Sequence, residues 1–110
     1  HSLGAVRGLK AGEFAPPPAL GELDFAQLRD LLTEAITELE AETEDNINSL
    51  AGSPLVFRVR DREIPFTADN FVLSFSIPNF HFHAATAYDI LRIHGVPLGK
   101  MDYLGQLRIG

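Results

Sequence analysis

Asn79 and His83 are the residues whose types and spacing could do chemistry. Four apart, they share one face of any helix that carries them. Nitrogen and oxygen donors at that spacing are a common way for one helix to offer two ligands to a metal in a helical core. Thr86 and Ile90 continue the face, and Phe75 precedes it. Two ligands do not make a site, because zinc takes about four. The rest must come from other elements, and His1 is the only histidine outside the stretch holding His81, His83 and His94. Two other readings use the same residues. His83 can be a core histidine bonded to Asn79 or Tyr88, or the three can be polar contacts of a small-ligand pocket. His81 points nearly opposite to His83, and His94 falls at the helix end, where a positive charge suits the dipole. Both therefore read as structural or surface residues. There is no cysteine, no phosphate loop and no dinucleotide fingerprint, and no serine sits in a recognisable nucleophile elbow.

The element that must position Asn79 and His83 is the longest apolar-periodic run of the chain, Asp69 to Gly95. The pattern predicts a helix over 68–94, with Thr67 as N-cap, Gly95 as C-cap glycine and Pro97 just beyond. Pro78 lies inside it. A proline there removes one ladder bond and crowds the carbonyl of Ser74, so a kink or bulge is expected just before Asn79. Upstream, Leu55 to Pro65 alternates apolar and basic residues and predicts a hairpin over 55–66, turning at Asp61-Arg62. Asp24 caps a predicted helix over 24–43 with Phe25, Leu28, Leu32, Ala35 and Leu39 on one face. Leu3, Val6 and Leu9 predict a helix over 1–11, stopped by Gly12. Residues 12–23, with three consecutive prolines, read as a linker, and 95–110 as a C-terminal loop.

Composition bounds the function. The 110 residues suit a single domain over 1–110, 45% hydrophobic and 22% charged. Net charge is -6, and nine carboxylates against one arginine fall between Glu22 and Asp45. That argues against a nucleic-acid partner, which requires a positive face. The run Phe71 to Ile93 is interrupted by Asn79, Asp89, Arg92 and two histidines, so a membrane span is not expected. The lack of cysteine fits a cytoplasmic protein.

From Pro78 to Gly105 the chain reads PNFHFHAATAYDILRIHGVPLGKMDYLG. This resembles the C-terminal signature of a bacterial and fungal family known as a domain of unknown function. Its pattern runs PNF-aromatic-FH, TAY-x-ILR, then GV-x-x-GK-x-D-aromatic-LG. That family is similar to the DinB/YfiT-like superfamily of four-helix bundles, which are often regarded as metalloenzymes. The resemblance implies a mainly α fold: a partial DinB-like four-helix bundle of about three helices, with a short β-hairpin before the last helix. In the superfamily one helix carries HxxxH; His83 falls on the second histidine and Asn79 on the first, while His1 falls near a third ligand. The implied cofactor is a divalent metal, zinc or nickel, at His83 and His1. Family members also carry a first helix and the start of a second upstream of the position of His1. The expectation is a bundle lacking its N-terminal helix, either with its open groove filled by a second copy in a homo-dimer or as a fragment of a longer protein. A small-ligand-binding or dimerisation module without catalysis is the alternative.

Overall fold

In the computed structural model, which describes residues 1–110, α1 (Ser2–Ala11) buries Ala5, Gly8 and Leu9. It ends at Gly12, whose positive φ of 73° lets its N–H turn back to the Gly8 carbonyl. The chain then enters β1 (Glu13–Phe14), which pairs in parallel with β2 (Pro54–Val59). β2 turns at Arg60-Asp61, with Arg60 at φ 56°, into β3 (Arg62–Thr67), its antiparallel partner. The turn falls one residue earlier than the sequence suggests. The positive φ belongs to an arginine rather than to a glycine or asparagine, so turn chemistry gives little signal there.

These strands overturn the expected architecture. The structure is α+β, with a mixed three-stranded sheet in the order β1-β2-β3, and a four-helix bundle is not what forms. The physical reason lies in what is buried. Ala5 and Leu9 of α1 pack with Phe14 of β1, Leu55 and Phe57 of β2, and Ala68 and Phe71 of α4 (Ala68–Phe71). Phe14, Phe57, Phe66, Phe71 and Phe75 stack in tilted and edge-on contacts, with centroids from 4.6 Å for Phe57–Phe75 to 6.5 Å for Phe57–Phe66. Such geometry adds roughly 0.5–1.5 kcal/mol per pair beyond burial. The core is thus built on a sheet face. By contrast α2 (Phe25–Glu40) and α5 (Ile77–Ile93) contain no buried residue, so neither acts as a bundle core helix.

Asp24 caps α2 as its type leads one to expect. Its Oδ1 accepts from the Gln27 N–H at 2.8 Å, and Gln27 Oε1 accepts from the Asp24 N–H at 2.9 Å. The acidic side of α2 faces a cation of α1, Arg7, which pairs with Glu38 and lies 3.6 Å from Glu34, and Lys10 reaches Glu42, just beyond α2, at 2.6 Å. Arg58 pairs within its own sheet, with Glu63 and with Glu13 at 3.4 Å, rather than with α2. Thr43 caps the short α3 (Glu44–Asn48).

Between α4 and α5 the helix widens into a π-helical turn, Val72–Ser76, in which the Ile77 N–H donates to the Val72 carbonyl five residues back. This is the bulge foretold by Pro78. The ring nitrogen has no hydrogen to give, and a wider turn just upstream relieves the crowding against the preceding carbonyls. Two compact units result, His1–Ile77 and Pro78–Gly110. In the second, α5 closes with Gly95 at φ 84°: Val96 N–H donates to Leu91 O and Gly95 N–H to Arg92 O, each at 3.0 Å. This is a Schellman closure. Within the segment read as a C-terminal loop lies a further short helix, α6 (Lys100–Leu104). Asp102 fixes its start by accepting the Gly99 N–H at 2.7 Å. No helix is long and apolar enough to cross a membrane.

Candidate functional site

The second unit holds a cleft of 350 Å³ between α5 and α6. Its α5 wall is Phe80, His81, Ala84, Ala87, Tyr88 and Leu91; Leu98, Asp102 and Tyr103 form the other side. On α5, Ala84 and Ala87 are one turn apart and carry only a methyl each, which leaves the space that larger residues would fill. The Schellman closure at Gly95 turns the chain, and the Gly99–Asp102 bond sets the first turn of α6. Tyr103 then meets α5.

The polar centre of the cleft is a pair. His81 Nδ1 lies 3.2 Å from Tyr103 Oη, within hydrogen-bond reach. With the ring proton on Nε2 the phenol donates to Nδ1; with it on Nδ1 the imidazole donates to the phenol oxygen. Tyr103 also stands edge-on to Tyr88, centroids 5.5 Å apart. The Arg92 guanidinium sits 5.4 Å from the centroid of the Tyr88 ring, a cation–π contact. The arrangement offers aromatic faces, a hydrogen-bonding pair and one carboxylate, Asp102. That suits recognition of a small molecule. A charge relay would need an orienting group behind the imidazole, and Tyr103 occupies Nδ1 with a phenol instead of a carboxylate.

Tyr88 lines the cleft, half-buried. Asn79 is half-buried and His83 exposed on α5, the His83 ring edge-on to Phe82 at 5.3 Å, and neither lines the cleft. His1 stands before α1 in the first unit, its carbonyl accepting the Ala5 N–H at 2.9 Å. No group of three or more His, Cys, Asp or Glu side chains gathers in a way that could hold a metal. Asn79 and His83, four apart on α5, offer two of the about four donors that zinc takes. His81 is the residue that sequence reasoning passed over. The signal was there: His81, Ala84 and Tyr88 fall at i, i+3 and i+7 on one helical face. Its partner could not be read, because Tyr103 sits on a five-residue helix within an apparent loop.

The model of the family described as Domain of unknown function (DUF1993) matches residues 2–104. The chain belongs to that family. The match takes in both compact units, so the cleft between α5 and α6 lies inside the family's own extent. No curated protein and no solved structure matches the chain.

Proposed function

We propose that the chain is a small-molecule-binding module whose site is the cleft between α5 and α6. The observation that carries this reading is the His81 Nδ1–Tyr103 Oη pair on the wall of a hollow whose other lining residues, Asp102 apart, are apolar or aromatic. Ligand sites are typically hollows of about 300–1,000 Å³ with apolar walls and a few convergent polar groups, and this cleft falls within that range. Aromatic rings at Phe80, Tyr88 and Tyr103 favour a planar ligand, and the polar pair favours one hydrogen-bonding group on its edge.

The test is a nuclear magnetic resonance titration of the full chain with indole, phenol and benzamide. Saturable shifts of the His81 ring and of the Ala84, Ala87 and Tyr103 amides are expected. Tyr103→Phe and His81→Ala should each weaken binding about tenfold, the worth of roughly one hydrogen bond. Phe82→Ala, outside the cleft, should leave it unchanged. Shifts scattered over the surface, or binding indifferent to both cleft variants, would count against the site.

Association with a second copy is the other reading that an observation favours: α5 exposes Phe82 at 67% and Ile93 at 81%. The metal-dependent reading rests on the Asn79–His83 spacing and on the wider DinB/YfiT-like resemblance. It places zinc or nickel at His83 and His1, and metal analysis of untagged protein beside His83→Ala tests it. A cytoplasmic setting is proposed from the absence of cysteine.

A further inference from the structure

A second hollow, of 220 Å³, lies within the first unit. Leu9 of α1, Ile47 and Asn48 of α3, Leu50 and Ala51 of the following loop, Ala68 and Asp69 of α4, and Val72 and Leu73 of the π-helical turn surround it. Its floor is core: Leu9 and Ala68 are buried, and Leu50 and Val72 pack against them. Its polar side chains are Asn48 and one charged group, Asp69. Asp69 Oδ1 accepts the Gly52 N–H at 2.9 Å, which fixes the carboxylate at the rim. The π-helical turn forms one wall, and such turns recur at functional sites because the wider coil re-aims side chains. We propose that this hollow binds a small primary amine, its apolar body against Leu9, Ile47, Leu50 and Val72 and its ammonium paired with Asp69. Charge decides the class. An apolar hollow with one fixed carboxylate and no cation among its lining residues selects a cationic head on an apolar body. Size decides the scale. The volume is on the order of seven water molecules, which suits pentylamine or benzylamine rather than a drug-sized ligand. The hollow is separate from the α5–α6 cleft, so this inference stands or falls independently of the function proposed above.

Titration of the full chain with n-pentylamine and with n-pentanol, followed by amide shifts, tests it. Saturable shifts at Gly52, Ala68 and Leu73 are expected, with the amine binding at least tenfold tighter than the alcohol. Asp69→Asn retains an acceptor for the Gly52 N–H and should bring the amine down to the level of the alcohol. Leu73→Trp, at a largely exposed position, should block the hollow and abolish both, which keeps the test decisive if Asp69→Asn fails to fold. Equal binding of amine and alcohol, unchanged amine binding in both variants, or no saturable shift at those amides would overturn the proposal.

Discussion

Asp69 shows how much one backbone bond can set at the scale of a residue. The Gly52 N–H donates to its carboxylate, the largest of several causes that hold the Asp69 carboxyl below its ordinary value of 3.8. A carboxylate whose folded pKa is depressed adds stability that is present above its unfolded value and lost as pH falls through the folded one. The expected outcome is stability that declines from about pH 4 downward, with Asp69→Asn flattening that part of the curve. Urea unfolding at pH 6, 4 and 2.5 checks it, and parallel curves for the two proteins would refute the assignment. Gly8 makes the complementary point about space. A Cβ there would lie 2.9 Å from the Glu13 carbonyl oxygen and 3.1 Å from the Phe14 Cβ. In an open helix Gly→Ala gains about 1 kcal/mol. Here overpacking at 1–3 kcal/mol outweighs it, so Gly8→Ala should lower the urea midpoint. Neither effect was legible from local pattern: Gly8 reads as an ordinary helical glycine until β1 is known to pass beside it. The pairing of His81 with Tyr103 was hidden for the same reason, since the two are 22 residues apart.

Elements were more legible than their contacts. The Asp24 cap, the hairpin's alternation and the closure at Gly95 follow from residue type and spacing, and the structure has each. β1 does not follow, because two residues between a helix end and three prolines carry no periodicity. That short strand turns a hairpin into a sheet, and the sheet face, rather than a helix seam, then gathers the core. The bundle expectation came from resemblance, and the helices α2 and α5 on which it depended bury no residue. Pro78 gave the clearest element-scale signal, and its bulge takes the form of the π-helical turn. An interior proline costs a helix about 3 kcal/mol, part of which the wider turn offsets. Pro78→Ala restores an N–H donor. It should stabilise the chain by about 1 kcal/mol, the net worth of one hydrogen bond, and slow amide exchange across residues 76–80. Destabilisation instead would mean that the ring contributes packing worth more than the missing bond.

At the scale of the whole molecule, burial is uneven. Every buried hydrophobic residue lies in the first compact unit, while α2 and α5 present Phe25, Leu32, Ile36, Phe82, Ile90 and Ile93 at 52–90% exposure. Scattered apolar side chains are normal on a surface, but large ones repeated along a helix mark association sites. The net charge of -6 opposes close approach of two copies, and screening weakens that opposition once the Debye length falls to about 3 Å at 1 M salt. Association driven by these helices should therefore strengthen as salt rises, the reverse of an ion-paired interface. Light scattering across a concentration series at 0.05 and 1 M sodium chloride is the measurement. A mass rising toward that of two chains, more steeply at high salt, is expected. Phe82→Asp and Ile93→Asp should shift the midpoint to higher concentration, because each adds a charge to a face that must be desolvated. A single-chain mass at every concentration and salt would reject self-association. Association that high salt dissolves would assign the contact to charge instead, with Arg60 and Arg62 of the hairpin against the acidic α2 as the first pair to test by charge reversal.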